Sequence, residues 1–182
     1  MKSHRRPKVA PLVIAFSWIV FPTSESQAQF EFGTPTKLPD AVNSTALDFE
    51  PSISSDGLEL YFTSSRRWGT WVARWDPVEG YFEPAEFAAS FNHPSISHDG
   101  LTLYGNTSGS GQFGGADLYF VTRPNRDEPW ESRLTNLGPN VNGEDWERGP
   151  AISADGRELY FTRSATADSG YFDLYVATRN DV

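Results

Sequence analysis

Carboxylates crowd together at two points of the chain, Asp48-Phe49-Glu50 and Glu144-Asp145-Trp146-Glu147, and each group leads into a short strand segment opened by a proline, Pro51 at once and Pro150 after Arg148 and Gly149. Acids gathered ahead of a strand can converge on the mouth of a channel and hold a cation or a basic partner there. Glu50, Glu144, Asp145 and Glu147 are the candidates for that role. Two carboxylates about 5 to 9 Å apart across a cleft would also suit glycoside hydrolysis, and Glu50 with Glu147 is the pair to which that reading attaches.

Other chemistries find less material. His93 and His98 are five positions apart across a strand start, without the spacing of a helical zinc site or an evident third ligand, so no metal is expected. No serine stands in Gly-x-Ser-x-Gly, and there is no phosphate-binding loop or dinucleotide fingerprint, so no cofactor is expected. The sequence has no cysteine, which removes thiolate chemistry and disulfides together. Aromatic and basic residues in polar, glycine-rich links offer a different function. Arg66, Arg67, Trp68, Phe113, Arg163 and Tyr171 lie where little sheet would cover them and are candidates for a binding face.

These residues are carried by a phrase written three times. Pro51-Ser-Ile-Ser-Ser-Asp56-Gly57, Pro94-Ser-Ile-Ser-His-Asp99-Gly100 and Pro150-Ala-Ile-Ser-Ala-Asp155-Gly156 are each followed by an apolar strand, Leu60-Tyr61-Phe62, Leu103-Tyr104-Gly105 and Leu159-Tyr160-Phe161. Asp-Gly between β-favouring runs predicts a hairpin, so Asp56, Gly57, Asp99, Gly100, Asp155 and Gly156 read as structural turns. One such Asp per repeat cannot gather the six to eight oxygens of a calcium site. A link follows, then a third strand, clearest in Asp117-Leu-Tyr-Phe-Val-Thr-Arg123 and Asp173-Leu-Tyr-Val-Ala-Thr-Arg179. Its opening Asp117 and Asp173 can cap backbone N–H groups or pair with Arg123 and Arg179. Tyr61, Tyr104, Tyr160, Tyr119 and Tyr175 recur at matched places and predict packing between neighbouring sheets.

A fourth element follows the first two repeats, Gly80–Pro84 and Pro129–Leu137, and Phe87–Ser90 makes one helical turn at most. The missing fourth strand of the third repeat has a counterpart at the other end. Phe30–Leu38 followed by Pro39-Asp-Ala-Val-Asn43 reads like Trp130–Leu137 followed by Gly138-Pro-Asn-Val-Asn142. The expected fold is therefore all-β, with three recognisable four-stranded units and the N-terminal strand completing the last. The repeats span about residues 44–86, 87–142 and 143–182 plus 30–38.

Residues 1–28 read as a signal peptide. Lys2, Arg5, Arg6 and Lys8 precede a short apolar run, and the small residues Ser26 and Ala28 fit a cleavage site that leaves Gln29 first. Processing leaves 11 Lys plus Arg against 23 Asp plus Glu in a single domain running from 29 to 182. A field of that sign disfavours nucleic acid, and no membrane span remains after cleavage.

The phrase Pro-Ser-Ile-Ser-x-Asp-Gly-x-x-Leu-Tyr-Phe, a Gly-rich link, and Asp-Leu-Tyr-x-x-Thr-Arg together resemble the WD40-like β-propeller repeat of TolB-type propellers, over roughly Phe30 to Arg179. The resemblance implies blades around an axis, protein interaction in the cell envelope, and no enzyme activity. The expectation is a periplasmic or secreted, non-enzymatic binding or scaffold module for a protein or cell-wall partner. The alternative is a carbohydrate-active hydrolase that uses the channel-mouth acids. For assembly three outcomes stand open: one chain as a small or open three-bladed body, two chains as a six-bladed homodimeric ring, or a fragment of a longer ancestor.

Overall fold

The computed structural model describes residues 32–109, 112–167 and 171–179; residues 1–28, expected to be a signal peptide, lie outside them. Residues up to Thr36 and residues from Lys37 onward form separate units, and the described part of the first, 32–36, contains no strand. The second unit is all-β, with three antiparallel sheets and no helix among the described residues.

The first sheet contains β1 (Asp48–Ile53), β2 (Glu59–Ser64), β3 (Gly69–Asp76) and β4 (Tyr81–Phe82) in that order, and β5 (Glu86–Ala89) also pairs with β3. The second contains β6 (Asn92–Ile96), β7 (Thr102–Thr107), β8 (Asp117–Thr122) and β9 (Thr135–Asn136). The third contains β10 (Trp146–Ile152), β11 (Glu158–Ser164) and β12 (Asp173–Thr178). Among the described residues no strand pairs with the far edge of β12, and residues 32–39 adopt no regular structure. Glu86–Ala89 is a strand where one helical turn was the most expected. Its pairing with β3 sets Phe87 opposite Trp71 with the rings edge to face at 6.0 Å, a contact that a helical turn would forfeit.

The repeated phrase makes the same local circuit three times. In the first copy Ser54 Oγ donates to Asp56 Oδ1 at 2.6 Å, Leu58 N donates to the same oxygen at 3.0 Å, and Glu59 N donates to Ser54 Oγ at 2.9 Å. Ser97 with Asp99, and Ser153 with Asp155, repeat it. The side chains thus take over backbone donors that the turn leaves unpaired. The residue before each proline has a left-handed backbone, with φ of 57° at Glu50, 55° at His93 and 59° at Gly149. Each sits where the register with the second strand slips, so all three first strands carry a bulge at one homologous point.

Successive sheets are joined at their first strands. Ile96 N donates to Ser52 Oγ at 3.3 Å and Ile152 N to Ser95 Oγ at 3.1 Å, so β6 lies between β1 and β10. Tyr61, Val72, Ile96, Leu103 and Val121 form the core between the first two sheets. Tyr104, Leu118, Leu159 and Phe161 form that between the second and third. Burying each such side chain contributes about 1.5–3 kcal/mol. Of the five matched tyrosines, Tyr61, Tyr104 and Tyr119 are buried, whereas Tyr160 and Tyr175 are exposed because no further sheet follows the third among the described residues.

Candidate functional site

Three links between second and third strands meet the starts of the three first strands at one end of the sheets, because Asp48 is opposite Ser64, Asn92 opposite Asn106 and Trp146 opposite Ser164. The second link runs along the entry to the third sheet: Gly115 N donates to Asp145 O at 2.9 Å and Glu147 N to Ala116 O at 2.7 Å. A Cβ on Gly115 would lie 2.2 Å from the Trp146 ring, so only glycine allows this approach.

The six binding-face candidates divide in two. Trp68 is exposed with its ring edge to face with Phe49 at 6.3 Å, Arg67 lies 3.7 Å over the Phe87 ring, and Phe113 and Tyr171 are exposed. Arg66 and Arg163 turn inward instead. Arg66 Nη2 donates to Val42 O at 2.5 Å and to Asp48 Oδ1 at 2.9 Å; Arg163 donates to Val141 O at 2.7 Å and to Glu147 Oε1 at 2.8 Å. Both guanidiniums also lie over aromatic rings, Trp71 at 4.7 Å and Tyr175 at 4.7 Å. They clamp two equivalent turns, and a polar link gives no sequence signal for that role.

The acidic candidates are equally uneven. Glu144 is exposed and Asp145 half-buried. Glu147 is fully buried with one oxygen unpartnered; burial pushes its carboxyl up, Arg163 opposes this, and Asp117 adds to it. Glu50 accepts from Thr63 Oγ1 at 2.9 Å and pairs with His93 Nε2 at 2.7 Å. Burial raises its carboxyl, but His93 and Thr63 outweigh this and hold it below the ordinary range. A sealed acid and an acid tied across two sheets do not form the open pair that glycoside cleavage requires. Among the described residues no three His, Asp or Glu side chains gather as metal ligands, and no helix is long and apolar enough to cross a membrane.

Asp117 does not pair with Arg123. It accepts from Phe113 N at 2.9 Å and Asn136 Nδ2 at 2.7 Å, which fixes the second link to its own sheet. Arg123 crosses to the first sheet, with Nη2 2.5 Å and Nη1 2.9 Å from the two oxygens of Glu59. Near this pair, at the Asp-Gly end, lies a cleft of about 620 Å³ lined by Asp56, Glu59, Arg74, Trp75, Arg126 and Glu128 among others. Arg126 pairs with Asp56 and donates to Asp99 O at 3.2 Å, joining two repeated turns. Sequence reasoning missed this cleft, since Arg126 and Glu128 lie in the stretch between the second and third Asp-Gly turns, which is longer than that between the first and second.

Acid should test the Arg66 clamp. Burial raises the Asp48 carboxyl, but bonds from Ser64, Arg66 and Ser44 outweigh this and hold it at about 2. A pKa below the unfolded value contributes stability that is complete above the ordinary carboxylate range and lost as pH falls toward about 2. Asp48→Asn should therefore flatten this part of the urea-midpoint profile between about pH 4 and pH 2, and an unchanged profile would place the clamp elsewhere.

No family model and no curated protein matches the sequence. Among solved structures the chain is similar to TolB from Acinetobacter baumannii, with a TM-score of 0.48 and 16% identity over 76% of this chain and 31% of that one. It is also similar to a structure from a study of two prolyl endopeptidases, with a TM-score of 0.45 and 14% identity over 75% of this chain and 21% of that one. The chain thus spans less than a third of the length of the TolB structure and about a fifth of the endopeptidase structure.

Proposed function

We propose that this chain is an exported, propeller-like binding module that engages a protein or cell-wall partner through the end of its sheets bearing the three links. The observation that carries the reading is the exposure of Trp68, Phe113 and Tyr171 in or beside homologous links of three successive sheets. Large aromatic side chains offer wide apolar contact at low entropic cost, which is why they anchor protein interfaces. Arg67 and Arg148, the latter 4.8 Å over the Trp146 ring, add cationic contacts to that end. The acids Glu144 and Asp145 set a preference for a partner with basic groups. The signal peptide of residues 1–28 delivers the module to the periplasm or the medium.

Cross-linking of the exported protein in an envelope extract tests the surface. The combined variant Trp68→Ala, Phe113→Ala, Tyr171→Ala should capture any partner at least about tenfold less well than the wild type, with unchanged folding. Equal capture by the variant would move the interface away from this end. Mass measurement of the exported chain should find Gln29 first.

A further inference from the structure

The two internal junctions show what each flank of a sheet packs against, and the outer flanks of the first and third sheets carry matching residues without that neighbour among the described residues. At the junction of the second and third sheets, Tyr104 and Leu118 project from the second and meet Leu159 and Phe161, together with Leu137 and Val141 from the turn after β9. On the third sheet the positions homologous to Tyr104 and Leu118 are Tyr160 and Leu174. Tyr104 and Leu118 are 7% and 0% exposed; Tyr160 and Leu174 are 45% and 82% exposed. Val176, beside Tyr160 on the same flank, is exposed as well.

The receiving half is repeated on the first sheet. Leu60, Phe62, Leu38 and Val42 correspond to Leu159, Phe161, Leu137 and Val141, and they line a cavity of about 170 Å³. The turns agree in detail. Val42 N and Asn43 N donate to Pro39 O at 3.0 and 2.9 Å, just as Val141 N and Asn142 N donate to Gly138 O at 3.1 and 2.9 Å. An arginine clamps each turn, Arg66 on Val42 and Arg163 on Val141. Ile53 at the rim of this flank is 54% exposed, whereas Ile96 at the homologous place is 8% exposed. Asn142 reaches back to the preceding sheet, accepting from Leu118 N at 2.8 Å and donating to Leu118 O at 3.0 Å. Asn43 holds the same place in its turn, and its side-chain amide donates to Leu38 O at 2.8 Å, with no bond to another sheet among the described residues.

We propose that the outer flank of the third sheet docks head to tail on the first sheet of a second copy. Tyr160 of one chain enters the cavity between Leu38, Val42 and Leu60 of the other, whose Asn43 bonds the backbone of Leu174. The occupant is a second copy because its surface repeats the one that covers Tyr104, and because among the described residues both flanks are uncovered within one chain. Different surfaces meet, so the contact is heterologous, and two chains related by a two-fold axis satisfy both ends at once and leave no free flank. One internal bond has no equivalent there, since Ala151 stands where Ser52 and Ser95 accept from the next sheet. The proposal rests on the propeller-like reading of successive sheets.

Light scattering across a wide range of concentrations should give a dimeric mass for the exported protein. Tyr160→Glu and Leu38→Glu alter exposed or half-buried positions, and each alone should raise the dimer dissociation constant by about tenfold or more. An equimolar mixture of the two variants should recover dimers, because one of the two contacts then keeps both wild-type halves. Far-UV circular dichroism and the urea midpoint check folding, and Leu38→Ser replaces Leu38→Glu if that variant unfolds. A monomer at every concentration, single variants that dimerise like the wild type, or a mixture that stays monomeric would each overturn the proposal. In a monomer, slow hydrogen exchange at the Leu174 and Val176 amides would preserve the propeller-like reading, with a strand of the same chain covering that edge; fast exchange would sink both.

Discussion

Replacing Arg123 with alanine is expected to lower the unfolding free energy by about 3–5 kcal/mol, because one member of a buried ion pair is removed and the other remains. Arg123 is buried, its guanidinium grips both oxygens of Glu59, and Nε donates to Gly100 O at 2.8 Å. The Trp130 ring lies 4.5 Å below it. Once Arg123 is gone, the ion pair left to Glu59 among the described residues is the longer one with Arg74, at 3.6 Å, and Glu59 stays out of water. Burial alone would lower the pKa of Arg123, but Glu59 and Tyr61 outweigh it, so the charged form is held in the junction. The double variant Glu59→Gln, Arg123→Met should recover part of the loss, because no charge is stranded. Urea unfolding of the set measures this, and a loss below about 1 kcal/mol for Arg123→Ala would mean that the pair is solvated in solution.

Phe91→Ala carries the second large expected loss, about 3–5 kcal/mol for a fully enclosed aromatic ring. Phe91 occupies the place that Asp48 and Glu147 hold in the other sheets, and Gly105 occupies the place of Phe62 and Phe161. The two exchanges fit each other, since a Cβ on Gly105 would lie 2.1 Å from the Phe91 ring. The second sheet therefore replaces an ion-pair clamp with an aromatic ring seated on bare backbone. Gly105→Ala alone should cost about 1–3 kcal/mol by crowding that ring. Combining Phe91→Ala with Gly105→Phe should restore part of the Phe91→Ala loss, because the new ring refills the space; a double variant no more stable than Phe91→Ala would show that the two places do not share one volume.

The strands and hairpins were legible because their determinants are local. Ser54, Asp56 and Gly57 stand within four residues, and the circuit closes on the backbone N–H groups of Leu58 and Glu59 that follow directly. The clamps and junctions were not legible in the same way. Glu59 and Arg123 are 64 positions apart, and nothing local marks Glu59 as the partner of an arginine in another sheet. Arg66 and Arg163 lie in or beside polar links and read as solvent-facing, while the carbonyls of Val42 and Val141 that draw them inward become visible only when the turns fold back. The same gap affects the candidate site. Exposed aromatics in the links could be picked out from composition, whereas the cleft at Arg74 and Arg126 arises from a pairing between repeats of unequal length. The strand at Phe87 carries little local signal because two alanines follow it, and its partner Trp71 is what holds it extended.

Among the described residues every backbone ladder joins strands that are near neighbours along the polypeptide, and none of the three sheets waits for a segment made much later. Low separation between partners favours rapid folding, since short loops close at little entropic cost. The first sheet can thus assemble as soon as Ala89 has left the ribosome, and the second can build on a finished template. Synthesis and folding can then advance at the same pace, so long apolar strands such as Leu60–Thr63 spend little time exposed to other nascent chains.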